Sequence, residues 1–282
     1  MAGSPVDTGS DTSARLVDAL HMLRSPPESM NARPVGERLW LSDGLTELWR
    51  GHAAESGRPG LLRLIRPGLS LEARREAEQC LRSEYAALTS LRTSAVPRLL
   101  AASPLDEGRS SEAWLWMSPA DGTVLGDLMA ATPSHSAGRI AWWLRLATQL
   151  LVDLRAAGVE HGGIEPDRIV LTRQHTFVLV DFTRSTRLPH LAEESSDERA
   201  VRHLGAWLAT GDRAEADRLV AVSSVDVITR VLAAARPDLS IDWLRQLAAL
   251  IAQPDAPSAF RAERLVRTIS LELQTFPIRA AA

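Results

Sequence analysis

Lysine is missing from the chain, because all 32 of its basic residues are arginines. No ammonium side chain can therefore bind phosphate, form a Schiff base or act as a general base. The abundance of arginine, alanine and leucine is typical of a GC-rich coding sequence, and avoidance of lysine-directed tagging is the alternative explanation. Any strong cationic contact to a phosphate group must come from guanidinium groups.

Cysteine is nearly absent as well, since Cys80 is the single one. One cysteine excludes an internal disulfide framework and a cysteine-based zinc site. We expect Cys80 to be a small packed residue on a helix. The formal net charge of -3 gives no overall basic signature, and the sequence therefore predicts no nucleic-acid partner.

Long hydrophobic runs are also missing. The polar N-terminus, MAGSPVDTGSD, lacks the apolar segment of a signal peptide. The most apolar helical stretch, RIAWWLRLATQLLVDLRAAG, contains Arg145 and Asp153 and is too interrupted to span a bilayer. The sequence therefore predicts a cytoplasmic protein without a transmembrane segment.

The amino-acid composition and the hydrophobic pattern change along the chain. Residues 1–33 are rich in Ser, Thr, Pro, Asp and Gly and predict a flexible N-terminal tail. Residues 34–117 are strand-rich around one helix, and residues 118–276 are mostly helical. A strand-rich half followed by a helical half predicts an α+β fold with two lobes.

Hydrophobic periodicity and turn signals place the individual elements. Asp43-Gly44 predicts a hairpin turn between the strands RLWLSD and ELWRGHA. Further strands are expected at GLLRLIR, PRLLAASP and EAWLWMS, and a small hairpin at RIVLT and TFVLVDF. Helices are expected over 70–92, across the apolar stretch quoted above, and over 197–210, 212–234, 240–252 and 258–274.

Several stretches, in one consistent order over residues 35–272, resemble the protein-kinase fold of the bacterial Ser/Thr type. LLRLIRPG is similar to the strand that carries the nucleotide-binding lysine, and RSEYAALTSL to the helix with the conserved glutamate. WLWMSPADGTVLGDLM resembles the gatekeeper and hinge region, VEHGGIEPDRIVL the catalytic loop and VDFT the metal-binding motif. SSDERAVRHLGAWLATG resembles the helix that anchors the catalytic loop. The resemblance implies a bilobal kinase-like fold.

The resemblance also assigns positions to a vestigial nucleotide site. Arg63 takes the place of the lysine, and Glu84 that of the helix glutamate. Met117 is at the gatekeeper, Ser118 begins the hinge, and Asp181 corresponds to the metal-binding aspartate. An Arg63–Glu84 ion pair is expected as a static structural bridge. For Asp181 two alternatives stay open: a single magnesium contact, or bonds to local backbone amides.

The positions that carry phosphoryl-transfer chemistry are degenerate. The aspartate that orients the substrate hydroxyl is replaced by Gly163, which has no side chain. The asparagine that binds the second magnesium is replaced by Arg168, a cation where a cation must bind. Glu165 would repel the transferring phosphate, and Thr183 replaces the glycine of the metal-binding motif. The resemblance therefore implies no catalytic residue and no dedicated metal site.

The phosphate-covering loop and the activation segment of the kinase fold are degenerate as well. Leu41, Asp43 and Thr46 stand where the phosphate-covering loop has its glycines. Only 15 residues separate Asp181 from Asp197, too few for the activation segment of the family. The arginine that reads a phosphorylated activation segment is replaced by Gly162. In contrast His161 and Asp197, which we expect to hold the fold together, are retained.

These patterns predict a pseudokinase, a non-enzymatic scaffold with a protein-binding or allosteric regulatory role and with one or more protein partners of unknown identity. Two alternatives stay open: an atypical ATP-dependent transferase, either a kinase or a nucleotidyl transferase, and a nucleotide sensor without catalysis. No cofactor is expected, and weak binding of ATP and magnesium is the alternative. Thr8 and Thr12, beside acidic residues in the N-terminal tail, suggest a phosphothreonine-dependent docking site, with an inert tail as the alternative.

Overall fold

The computed structural model describes residues 34–103, 113–132, 134–187 and 195–252. Three predictions fall outside these ranges: the N-terminal tail, its proposed docking site at Thr8 and Thr12, and the helix over 258–274. Within the described residues the chain is a mixed α+β protein. An antiparallel sheet forms the N-terminal part and helices dominate the C-terminal part.

Five strands and one helix build the N-terminal part. The strands pair in the antiparallel order β1-β2-β3-β5-β4. The elements are β1 (Val35–Ser42), β2 (Thr46–His52), β3 (Pro59–Ile65), α1 (Leu71–Ser90), β4 (Leu99–Ala102) and β5 (Trp114–Met117). The strands predicted for this region are therefore confirmed.

The turn between β1 and β2 explains why Asp43 and Gly44 stand together. Gly44 has a φ of 90°, a left-handed conformation that glycine adopts without strain. The Asp43 carboxylate accepts hydrogen bonds from the backbone N–H of Leu45 at 2.9 Å and of Thr46 at 2.6 Å. Asp43 thus stabilises its own turn.

Helix α1 begins where the sequence predicts. Ser70 is the N-cap, and its hydroxyl accepts a hydrogen bond from the Ala73 N–H at 3.2 Å. Capping of this kind satisfies a backbone donor that the first helical turn leaves without a partner. The buried face repeats every three or four residues and comprises Ala77, Leu81, Glu84, Ala87 and Leu88. The only ionisable residue on that face is Glu84.

Short strands and longer helices build the C-terminal part. A small antiparallel sheet has the order β6-β8-β9, and two further short strands pair with each other. The elements are β6 (Gly122–Val124), α2 (Leu125–Ala131), α3 (Ala137–Ala156), β7 (Val159–Glu160), β8 (Ile169–Thr172), β9 (Phe177–Leu179), β10 (Thr186–Arg187), α4 (Ser196–Thr210), α5 (Arg213–Val220), α6 (Val225–Ala235) and α7 (Ile241–Ile251). Single 3-10 turns span Pro166–Arg168 and Phe182–Arg184.

The single helix predicted over 212–234 is wrong, because the chain forms α5 and α6 with a break between them. The backbone N–H groups of Ala221 and Val222 close the end of α5 on carbonyl oxygens of its last turn. Ser224 then caps α6 by accepting from the Val227 N–H at 3.4 Å. Serine competes for backbone groups in this way and favours helix ends over helix interiors.

One continuous apolar core extends through both parts of the molecule. It includes Leu48 and Leu61 of the large sheet, Met117 at the end of β5, and Val170 of the small sheet. The apolar stripe predicted for α3, from Ile140 to Leu154, is buried in the same core. No helix within the described ranges is both long and apolar enough to cross a bilayer.

Candidate functional site

Arg63 lies at the centre of a buried polar cluster between the large sheet, α1 and the turn after β9. Its side chain is 1% exposed, and Nε lies 3.0 Å from Glu84 Oε2. One terminal nitrogen contacts Asp181 Oδ1 at 2.6 Å, and the other donates to Thr46 Oγ1 at 3.3 Å. Burial alone would lower the pKa of Arg63, but Glu84, Asp181 and Asp43 outweigh burial and raise it. Arg63 is therefore a permanent cation with all its contacts inside the protein.

Glu84 joins α1 to the segment that follows Asp181. One carboxylate oxygen receives Arg63, and the other accepts a hydrogen bond from the Phe182 N–H at 3.1 Å. Both oxygens of this fully buried side chain are thus engaged. The ion pair between Arg63 and Glu84 that the sequence predicts is present, and it is part of a larger network.

Asp181 receives two guanidinium groups, one on each carboxylate oxygen. Oδ1 contacts Arg63 and accepts from Thr183 Oγ1 at 2.9 Å, while Oδ2 contacts Arg168 Nε at 2.7 Å. Burial would raise the pKa of Asp181, but Arg63, Arg168 and the Thr183 hydroxyl outweigh it and lower the pKa below its usual value. Its φ of 70° is a left-handed conformation that Asp adopts more readily than most residues. This carboxylate therefore contacts two arginines and the Thr183 hydroxyl, which neither alternative for Asp181 anticipated.

Arg168 and Gly163 depend on each other. Arg168 reaches Asp181 from the 3-10 turn, and its Nη1 donates to the Gly163 carbonyl oxygen at 2.8 Å. A Cβ atom added at Gly163 would lie 2.4 Å from that same nitrogen. The guanidinium of Arg168 thus occupies the space that any side chain at position 163 would need. The two replacements that the sequence singles out are one structural feature.

His161 and Asp197 fix the loop that carries Gly163. The Asp197 carboxylate accepts the backbone N–H of His161 at 2.6 Å and that of Gly162 at 3.0 Å. The His161 ring is fully buried, with Nε2 lying 3.1 Å from the Val180 carbonyl oxygen and its edge against Phe182. His161 is the packed structural histidine that the sequence predicts.

The nucleotide-contact positions predicted at Met117 and Ser118 are engaged within the protein. Met117 is 2% exposed and belongs to the same apolar core as Leu61 and Val170. Ser118 pairs with Arg98, since its hydroxyl accepts the Arg98 N–H at 2.9 Å and its own N–H donates to the Arg98 carbonyl at 2.8 Å. Among the described residues, no group of three or more His, Cys, Asp or Glu side chains is placed to hold a metal ion.

Sequence reasoning missed the role of two threonines. Thr46 and Thr183 were singled out only as replacements for glycine. In the structure Thr46 is fully buried and its hydroxyl lies between Arg63 and the Asp43 carboxylate, 3.2 Å from Asp43 Oδ2. Thr183 supports Asp181 from the other side. The only signal available was a hydroxyl at a buried position, in a strand for Thr46 and in a 3-10 turn for Thr183, since buried polar groups are normally hydrogen-bonded.

We expect the stability of the protein to respond to acid through His161 and Asp197 in opposite directions. Burial lowers the pKa of His161 from 6.5 to about 4 and raises the pKa of Asp197 from 3.8 to about 6. As pH falls from 6.5 to about 4 the unfolded chain takes up the histidine proton first, which destabilises the fold. From about pH 6 to 3.8 the folded chain protonates Asp197 first, which stabilises it. Each effect amounts to roughly 3 kcal/mol, and the two nearly cancel.

The variant His161→Gln removes one side of this balance. It should be less stable than the wild type at pH 7, and the gap should narrow by roughly 3 kcal/mol on going to pH 4. Urea unfolding at pH 7, 5.5 and 4 measures the gap, with His175→Asn as a control at an exposed histidine. A gap for His161→Gln that stays constant over this range would contradict the assignment.

Comparison with known proteins adds no family assignment. No protein-family model matches the chain, and a search of curated proteins finds no significant match. The chemistry of the cluster around Arg63, Asp181 and Arg168 therefore has to be interpreted from its geometry.

Proposed function

We propose that the protein is a degenerate kinase-like protein, without phosphoryl-transfer activity, that acts as a protein-binding scaffold. The kinase-like, bilobal description rests on the sequence resemblance, and the mixed α+β architecture is compatible with it. The single observation that carries the proposal is the contact of Arg168 Nε with Asp181 Oδ2 at 2.7 Å. Asp181 carries the carboxylate to which the resemblance assigns metal binding.

In this proposal the guanidinium of Arg168 takes the place of a magnesium ion beside Asp181. Magnesium is bound through oxygen ligands at about 2.0–2.1 Å in near-octahedral geometry. Asp181 supplies its two oxygens to Arg63 and Arg168 instead, and both guanidinium groups would repel an incoming divalent cation. Binding a metal would require breaking at least one contact shorter than 3 Å. Phosphoryl transfer depends on such metal ions to neutralise developing charge.

The position that the resemblance assigns to the catalytic base has no side chain, and a neighbouring side chain fills the space beside it. Gly163 has no side chain, and the guanidinium of Arg168 occupies the volume where one would begin. An aspartate at position 163 would therefore require the tip of the Arg168 side chain to move. Arg63, the remaining candidate for a phosphate contact, is directed to Glu84, Asp181 and Thr46. These contacts favour the scaffold over the atypical transferase and over the nucleotide sensor.

The purified chain should transfer no phosphate from γ-labelled or α-labelled ATP to itself or to generic protein substrates, with magnesium or manganese present. The reason is the joint loss of the base at Gly163 and of the metal position at Arg168. Radiolabel incorporation measures transfer from both positions of ATP. Transfer that keeps constant specific activity through purification and disappears in the folded Asp181→Asn variant would refute the scaffold proposal.

A further inference from the structure

The large sheet has an aromatic face on the side opposite α1. Helix α1 packs against the face that carries Arg63 and Leu115. The other face holds a separate apolar cluster, and every described member of that cluster comes from a strand or from the loop after β2. Its residues include Leu62, Trp114 and Trp116 and the partly buried Trp49 and Leu64. We call this surface the tryptophan face.

Strand pairing aligns side chains of the tryptophan face in one row across the sheet. Leu39 of β1 pairs with Trp49 of β2, Trp49 pairs with Leu62 of β3, and Leu62 pairs with Trp116 of β5. Directly paired residues lie on the same face of an antiparallel sheet. Leu39 is 43% exposed and Trp49 is half-buried. The tryptophan face therefore retains accessible apolar surface toward the β1 edge.

Two glycines allow the tryptophan rings to lie against the sheet. A Cβ atom at Gly36 would lie 3.0 Å from the Cβ of Trp49, and one at Gly60 would lie 2.4 Å from an atom of the Trp116 ring. Larger residues at these positions would push the rings away from the strands. The result is a broad apolar surface, and the apolar face of a sheet is normally buried against another element.

One segment of the sequence that precedes β1 matches this surface. Residues 14–23, ARLVDALHML, place Leu16, Leu20 and Leu23 on one side of a helix, at the spacing i, i+4, i+7. Arg15 and Asp18 fall on the opposite side. A helix of this length is marginal in water on its own. It becomes stable when its leucines pack against an apolar surface.

The chain connection brings this segment to the tryptophan face. The described residues begin at Pro34, and Val35 starts β1, the edge strand that carries Leu39. Residues 24–33, which join Leu23 to Pro34, can span up to about 35 Å when extended. The five strands of the sheet extend across only about 19 Å. The segment can therefore reach the whole face, and a short linker gives it an effective concentration in the millimolar range.

We infer that residues 14–23 dock as an amphipathic helix on the tryptophan face of the same chain, with the leucines against Leu39 and Trp49. Residues 104–112 match the surface less well, because they connect β4 to β5 at the other edge of the sheet and contain one large apolar residue, Leu105. The inference goes beyond the proposed function and does not depend on it. A partner that uses this face must first displace the segment, so docking regulates access to it.

A disulfide trap in the full chain tests the contact. Leu20→Cys and Leu39→Cys are combined with Cys80→Ser, so that the two new cysteines are the only ones present. We expect an intramolecular disulfide under mild oxidation, and non-reducing gel electrophoresis measures its rate of formation. Adding Leu16→Asp should slow the reaction by about tenfold or more, because a charge replaces a packed leucine. The matched change Asp18→Asn, on the polar side of the segment, should leave the rate unchanged.

Hydrogen exchange of the full chain, without introduced cysteines, tests the location of the docked segment independently. The amides of residues 14–23 should exchange at least about tenfold more slowly than in the Leu16→Asp variant. Leu39→Glu, which places a charge on the tryptophan face, should remove this protection. Val227→Glu, a matched change at an exposed residue of α6, should leave it intact. The protection should not depend on protein concentration, because the segment and the face belong to one chain.

Three results would overturn the inference: exchange of residues 14–23 at the rate of an unstructured peptide, protection that survives Leu39→Glu, or a disulfide rate that Leu16→Asp does not change. Protection that rises with protein concentration would also overturn it, in favour of docking between two copies of the chain. None of these results alters the expected outcome of the ATP and radiolabel measurements. Phosphoryl transfer would refute the proposed function without affecting the docking data, so the two failures are distinguishable.

Discussion

Replacing Asp181 with asparagine is expected to lower the free energy of unfolding by about 3–5 kcal/mol in metal-free buffer. The variant removes the charge that compensates both Arg63, which is 1% exposed, and Arg168, which is 11% exposed. Asparagine tolerates the left-handed backbone at this position nearly as well as aspartate, so backbone strain adds little. Since a domain retains only about 5–15 kcal/mol in total, the loss should lower the melting temperature by roughly 10 °C.

Urea denaturation in the presence of EDTA measures this effect without interference from metal. The matched control is Asp121→Asn, which changes an exposed carboxylate and should alter stability by less than about 0.5 kcal/mol. If Asp181 were a vacant metal ligand without paired arginines, its neutralisation in EDTA would leave the protein equally stable or more stable. Unchanged or increased stability of Asp181→Asn would therefore contradict the network described here.

The pair of Arg63 and Glu84 should show strong energetic coupling. Arg63→Met leaves the buried Glu84 without its cation, at a cost of about 3–5 kcal/mol. Glu84→Gln should cost less, because Arg63 keeps its contact with Asp181 at 2.6 Å. In the double variant the two losses compensate each other, so its cost should fall below the sum of the singles by up to about 3 kcal/mol. Arg63→Met is expected to be the more damaging single change, because Glu84 and Asp181 then face each other as like charges.

A double-mutant cycle by urea unfolding measures this coupling. The exposed pair of Arg218 and Glu215, at 2.6 Å, offers a control cycle with Arg218→Met and Glu215→Gln. Its coupling should stay near 0.3–0.5 kcal/mol, roughly the value of surface pairs on one helix. Additive losses for Arg63 and Glu84 would mean that the two side chains have no coupling energy, in spite of the short distance between them.

Most of the fold class could be predicted because the hydrophobic period changes along the chain. The stripe from Ile140 to Leu154 specifies a helix by its spacing, and Asp43-Gly44 specifies a turn by its chemistry. Strand β6 could not be predicted in this way, because its three residues begin with Gly122. It is a strand only through tertiary pairing with β8. The break after Val220 depended on serine capping at Ser224, which a periodicity pattern alone does not detect.

The sequence predicts individual residues of the candidate site but not all of the contacts between them. The Arg63–Glu84 pair followed from the resemblance of the two stretches that contain it to the protein-kinase fold. The contact of Arg168 with Asp181 did not, because the direction of a long arginine side chain depends on the space around it. Here that space exists because Gly163 has no Cβ. The sequence shows both residues, but only the structure shows that Gly163 makes room for the side chain of Arg168.

Calorimetric titration of the purified chain with ATP, in the presence and in the absence of magnesium, tests whether Arg168 takes the place of a nucleotide-bound metal. We propose that its guanidinium stands where that metal would have to bind. The expected dissociation constant for ATP is therefore above about 1 mM, equivalent to about -4 kcal/mol, and magnesium should not lower it. A low-micromolar dissociation constant that requires magnesium and is lost in the folded Asp181→Asn variant would contradict it, and would identify the protein as a nucleotide-binding one.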